Sequence, residues 1–132
     1  MIHDVVGRMT VDQELLSELA HRNLLGVFGE RDPSKRAAAV DEIYAEQVTF
    51  SDPDEVVVGR AALSEKAQRL LDQAPGFVFS AAGPVRTSGN LTMLAWNLGP
   101  EGQPPVASGL DVSIVEDGRI THLYTLLDPP AA

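Results

Sequence analysis

The 132-residue chain contains no cysteine, which excludes disulfides and thiolate metal ligands and fits a reducing cytosol. Basic residues are scarce: ten Lys and Arg stand against nineteen Asp and Glu, for a formal charge of -9. With no basic patch, neither nucleic acid nor anionic membrane is expected as a partner, and the acidity reads first as a device for solubility. Only three histidines occur, scattered at His3, His21 and His122, and no acidic cluster has ligand spacing. No metal or other cofactor is therefore expected. No apolar run approaches membrane-spanning length, and the N-terminus lacks the basic segment and apolar stretch of a secretory signal. A cytoplasmic location follows as an expectation. Long enough for one core and too short for two, the chain reads as a single domain over residues 1–132, with 1–9 as a loosely held N-terminal arm.

What is present is organised around Gly109 to Asp128, which reads as a β-hairpin. Two alternating runs, Leu110 to Val115 and Ile120 to Leu127, flank Asp117-Gly118, a strong two-strand turn signal. Inside the first run sits a carboxylate, Asp111, among Leu110, Val112 and Ile114. A charge in that setting either faces water or stands in a pocket, where loss of hydration raises its pKa. The turn decides its face. A three-residue loop with a left-handed Gly118 puts Asp111 and Ser113 with Thr121, Leu123, Thr125 and Leu127; a two-residue loop puts it beside His122 and Tyr124. The Glu116-Asp117-Gly118 triplet favours the odd loop. Both hairpin faces are largely apolar, so helices are expected over one and a second subunit or more sheet over the other.

Upstream, Thr10 and Gln13 form a capping-box signature ahead of Leu16, Leu19, Ala20, Leu24, Val27 and Phe28 at helical spacing, giving a first helix to about Gly29. Asp32-Pro33 starts a second, with Ala37, Val40, Ile43 and Tyr44 as its inward stripe. Val48 to Ser51 is a strand closed by the Asp52-Pro53-Asp54 turn; Val56 to Val58 is a further strand piece. Gly59-Arg60 opens a third helix whose face is Leu63, Ala67, Leu70 and Ala74, stopped by Pro75-Gly76. The rest is strand: Phe77 to Thr87, interrupted at Gly83-Pro84, then Leu91 to Leu98, a loop, and the hairpin. The expected class is α+β, three N-terminal helices packed in a strongly curved, mostly antiparallel sheet.

This order, with VTFSDP, the Gly59-Arg60-Ala61-Ala62-Leu63 helix start and the terminal GLDVSIVEDGRI hairpin, resembles the SnoaL-like branch of the nuclear transport factor 2-like superfamily over residues 12–128. The resemblance implies a cone: a bent sheet around the helices, an apolar pocket open at one end, and a homodimer across the outer sheet face. It also implies two carboxylate roles by comparison with ketosteroid isomerase, an enzyme that keeps two acids at divided pKa values in one site: Asp52 as proton-abstracting base, Asp111 as protonated donor to an enolate oxygen. The tyrosine donor of that enzyme has Leu24 in its place, and loss of such a donor typically costs about 2.7–4 kcal/mol in the transition state. Against epoxide-hydrolysing members, no Arg stands beside Asp111, and Thr125 occupies the position of a second acid. Trp96, alternating with Thr92 and Leu94, is expected on the pocket wall, and Tyr44 is a candidate hydroxyl donor. Leu24, Phe28, Ser113, Leu123 and Thr125 complete the expected ligand contacts. The function implied is cofactor-free proton transfer on a small apolar carbonyl compound, by an isomerase, cyclase or dehydratase; the alternative is a non-catalytic binding module of the same fold.

Overall fold

The computed structural model describes residues 11–130; the expected arm and the Thr10 cap lie outside them. The apolar stripe of the first segment builds α1 (Val11–His21), which continues without a break into a wider, π-helical stretch, Arg22–Phe28. Asp32 caps α2 (Pro33–Ile43), its carboxylate accepting from the N–H groups of Ser34 and Lys35. Proline at the first helical position loses nothing, because its missing N–H would have had no partner there. The inward face of α2 is Arg36, Ala39, Val40 and Ile43. Ala37 is exposed, and Tyr44 belongs to the strand that follows.

That strand, β1 (Tyr44–Ser51), leads through the Asp52 turn to β2 (Val56–Val58) and then α3 (Arg60–Asp72). The Gly83-Pro84 interruption splits the next run into β3 (Phe77–Ala81) and β4 (Arg86–Ser88), and both pair with β5 (Leu91–Pro100), one at each end of it. The hairpin is β6 (Ala107–Glu116) and β7 (Arg119–Leu127). Strand order is β2-β1-β7-β6-β5-β3, antiparallel except where β1 runs parallel to β7. The class is α+β, as expected from the order of periodicities. Among the described residues no helix is long and apolar enough to cross a membrane.

The hairpin reaches the expected facing by a different device. Glu116 pairs with Arg119, so the loop has two residues, and Asp117 and Gly118 both take positive φ, at 52° and 78°. This is the left-handed pair that a tight hairpin turn requires. Taken alone, such a loop would set Asp111 beside the outward residues. A bulge intervenes: Val115 pairs with Ile120 but Ile114 pairs with His122, leaving Thr121 as an extra residue in β7. One inserted residue reverses the facing of everything beyond it. Asp111 therefore lies opposite Thr125, and Ser113 opposite Leu123, on the inner face.

The helices pack on that inner face. Leu16, Leu19, Val27, Val40, Ile43, Leu63 and Ala67 meet Val48, Phe50, Ile120 and Leu123 in the main core. A second cluster, Ala20, Leu24, Leu94 and Trp96, lies further along the sheet. The outer sheet face carries Tyr124 and Leu126, both exposed, beside half-buried Val112 and Ile114.

Candidate functional site

Between the helices and the bent sheet the core does not close, leaving a cavity of about 330 Å³. Its inner end is built by Leu24 and Trp96 of the second core cluster and by Asp111, buried at 8% relative exposure. Exposed Pro53, Asp54 and Gln73 stand at its rim. The rim is fastened by Arg31, whose guanidinium donates to the carbonyls of Leu71, Ala74 and Phe77, tying the end of α3 to the start of β3.

Asp111 is held by three neutral donors. Trp96 Nε1 donates to Oδ1 at 3.0 Å, Thr125 Oγ1 to the same oxygen at 2.8 Å, and Asn23 Nδ2 to Oδ2 at 3.0 Å. Register explains the set: Thr125 is the cross-strand partner of Asp111 on β7, and Trp96, on β5, pairs with Gly109 two residues before it. Gly109 is required there, because a Cβ would collide with the Trp96 ring and with the Leu126 carbonyl. Asn23 arrives from the π-helical stretch, and its own Oδ1 accepts from the hydroxyl of Tyr44. The Tyr44 carbonyl in turn accepts from Nε and Nη2 of Arg60. A chain of contacts thus runs from α3 through β1 and the π-helical stretch to the carboxylate. Burial pushes the Asp111 carboxyl up to about 6, against the downward pull of the hydrogen bonds from Thr125, Trp96 and Asn23. Burial, and next the nearby Asp111 charge, raise the Tyr44 phenol well above its usual range, so it stays a neutral donor.

Asp52 lines the same cavity nearer its mouth. Its Oδ1 accepts from the N–H groups of Asp54 and Glu55, and its Oδ2 pairs with Lys66 Nζ at 2.9 Å. Both side chains of that pair are buried, at 7% and 6% exposure. Burial pushes the Asp52 carboxyl up, but Lys66 and the two backbone donors outweigh it and hold the group below the ordinary aspartate value. The two carboxylates thus face one space with opposite electrostatics: Asp52 compensated by a cation, Asp111 not.

Of the other residues expected at the site, Trp96, Leu24, Phe28 and Thr125 line the cavity. Three do not. Tyr44 is fully buried with its hydroxyl turned to Asn23; Ser113 lies two residues nearer the turn than Asp111; and Leu123, opposite Ser113, is packed in the main core. Asn23 and Lys66, the polar partners of Asp111 and Asp52, are not among the residues expected from the sequence, although each interrupts an apolar helical stripe: Asn23 sits among Leu16, Ala20 and Val27, Lys66 between Leu63 and Leu70. Among the described residues no group of three His, Cys, Asp or Glu side chains is close enough to hold a metal ion.

Residues 22–123 match the SnoaL-like domain family. No curated protein matches the sequence. Among solved structures, a candidate isomerase of the SnoaL-like family from Agrobacterium tumefaciens shares 26% identity over 88% of this chain and 99% of its own, with a TM-score of 0.81. A candidate SnoaL-like polyketide cyclase from Jannaschia is 13% identical over 92% and 90%, with a TM-score of 0.75. A candidate ketosteroid isomerase from Kribbella flavida is 21% identical over 90% and 84%, with a TM-score of 0.65. At these identities the last two establish likeness of fold alone. With the curved sheet, the three helices and the family match over most of its length, this chain belongs to the SnoaL-like family of the nuclear transport factor 2-like fold.

Proposed function

We propose that the protein is a cofactor-free proton-transfer enzyme, of the isomerase, cyclase or dehydratase type, acting on a small apolar carbonyl compound with Asp111 as its acid–base group. The observation that carries this reading is a buried carboxylate with a pKa of about 6 at the inner end of an apolar cavity, its orientation fixed from three sides. A general base works best when its pKa lies near the operating pH. Asp52, the base by resemblance, is the weaker proton acceptor while Lys66 holds it as an anion. We therefore assign proton uptake to Asp111 and a fixed charge near the entrance to Asp52. Trp96 and Asn23 can only donate through the atoms they turn on Asp111, whereas the Thr125 hydroxyl can rotate and accept. Once Asp111 has taken a proton, Thr125 is the partner able to adjust.

The same hydrogen bonds narrow the substrate. The Trp96 and Thr125 donors of the wall are spent on Asp111, and by the resemblance to ketosteroid isomerase Leu24 takes the place of that enzyme's tyrosine donor. Among the described residues the remaining side-chain amide of the cavity, Gln73, stands exposed at the rim, so an enolate oxygen developing beside Asp111 has no side-chain donor of its own, and the favoured substrates are carbon acids that spread the charge themselves, such as 1,3-dicarbonyls, over simple ketones. A panel of both kinds, assayed for proton exchange at the acidic carbon, is the test. Asp111→Asn should lower turnover of the dicarbonyls roughly 100-fold or more, and Asp52→Asn should lower it less. Wild-type rates in Asp111→Asn would end the assignment. Binding of the panel with no exchange by the wild-type protein would favour the alternative of a non-catalytic ligand-binding module, which the Leu24 position supports. In the same proposal the protein is a cytoplasmic homodimer joined through the outer sheet face, where Tyr124 and Leu126 are 44% and 52% exposed; sedimentation of wild type against Leu126→Glu tests that arrangement.

A further inference from the structure

The aromatic side chains of this sequence are not scattered. All four phenylalanines, Phe28, Phe50, Phe77 and Phe79, and the single tryptophan, Trp96, line the same cavity. At its inner end stands Asp111, whose three partners are all uncharged. Among the described residues Asp111 makes no ion pair, whereas Asp52 is neutralised by Lys66. Among the described residues no Lys, Arg or His lines the cavity.

Aromatic rings present negative faces and attract cations placed over them, more strongly where water is excluded. A carboxylate without a counter-ion in the same apolar space adds a full charge of the same sign. Each carboxylate oxygen can accept about two hydrogen bonds. Oδ1 of Asp111 takes two, from Trp96 and Thr125, but Oδ2 takes only the one from Asn23. Among the described residues Oδ2 thus has one hydrogen-bond partner fewer than Oδ1, on a side chain that borders the cavity. An anionic ligand would meet this carboxylate with no cation in the wall to offset it; a cationic one would meet a charge and five rings. The chain's overall charge of -9 also draws cations towards it.

We propose that the cavity is a binding site for a small organic ammonium ion with an apolar body, its N–H on the open side of Asp111 Oδ2 and its charge against the ring faces. This is a statement about binding and does not rest on the proton-transfer reading; an ammonium ion seated there would compete with a carbon acid for the same oxygen.

The test uses three ligands of one shape, cyclohexylmethylamine, its N,N,N-trimethyl derivative and cyclohexylmethanol, titrated calorimetrically into the wild-type protein at about pH 8, where the amine is protonated and Asp111 ionised. Trp96, bonded to Asp111, gives a parallel fluorescence readout. The primary ammonium should bind roughly tenfold or more tighter than the alcohol, with the trimethyl ion between them because it keeps the charge but has no N–H. In Asp111→Asn the preference of amine over alcohol should vanish while the alcohol still binds. Equal or tighter binding of the alcohol to wild type, no binding of any of the three at millimolar concentration, or a preference surviving in Asp111→Asn overturns the proposal. Tighter binding of the trimethyl ion than of the primary amine overturns the placement on Oδ2. The wild-type comparison decides the matter even if the variant does not fold, and no turnover is measured, so the outcome is separate from that of the exchange assay.

Discussion

Asn23 and Asp111, 88 positions apart in the chain, meet at 3.0 Å with the amide of one donating to the carboxylate of the other. The opposite end of the same amide accepts from Tyr44. One side chain therefore both orients the acid and satisfies a fully buried phenol.

Replacing Asn23 by Leu should cost about 1–3 kcal/mol through the orphaned Tyr44 hydroxyl alone, read by urea denaturation. Tyr44→Phe should be milder, and Asn23→Leu with Tyr44→Phe should destabilise by less than the sum of the two, because the second change removes the group that the first leaves without a partner. Strict additivity would show that the two residues do not communicate.

Stability should depend on pH through Asp111 in the direction opposite to most carboxylates. Its folded pKa, about 6, lies above the reference 3.8, so between those values the folded state holds the proton more tightly than the unfolded one. Its contribution is most favourable below the unfolded pKa and is lost as pH rises towards 6, by on the order of 3 kcal/mol. Asp111→Asn should flatten that limb of a stability–pH curve. Asp52, with its pKa lowered, has the opposite sign: its contribution is full above the reference value and fades as pH falls through its folded pKa.

Lys66→Met should be among the most damaging single changes, about 3–5 kcal/mol, because it strands the buried Asp52 carboxylate. Adding Asp52→Asn should recover much of the loss, since the charge left unpaired is then gone. Chemical denaturation of the single and double variants measures this; no recovery would mean that Lys66 matters through its packing instead.

Gly109→Ala should disturb the site from behind. The new Cβ meets Trp96 on one side and the Leu126 carbonyl on the other, and backbone cannot yield easily. Overpacking of this kind costs about 1–3 kcal/mol, and displacement of the indole should change its emission as its hydrogen bond to Asp111 is lost. An unchanged spectrum would argue that the ring relaxes without leaving the carboxylate.

Much of this is legible in the residues. A lone acid among Leu110, Val112 and Ile114 marks Asp111; an Asp before proline at a strand end marks the cavity rim at Asp52; and Leu24 and Phe28 lie on an evident helical stripe. What periodicity cannot supply is the set of partners that fixes the electrostatics. Asn23 and Lys66 are polar residues at inward positions of the first and third helices, and such positions are ordinarily filled by apolar groups, so their meaning depends on what lies across the core. Arg36 repeats the pattern in α2, buried where Ala37 was expected, with its guanidinium donating to the Glu30 carbonyl and to Gln68. The hairpin pattern predicts the right facing through the wrong loop, because a tight turn followed by an extra Thr121 leaves the same side chains inward as a longer loop does.

The crowding of every phenylalanine and the lone tryptophan around one space has a spectroscopic corollary. The other two aromatic residues that are not histidine are Tyr44, bonded into the same network, and Tyr124, on the opposite side of the sheet. A sample grown on fluorinated phenylalanine should give four ¹⁹F resonances, each belonging to a ring that borders the chamber, with no surface signal to subtract. Any molecule that enters should shift several of them at once, so screening for the natural occupant needs neither a known reaction nor an assigned backbone.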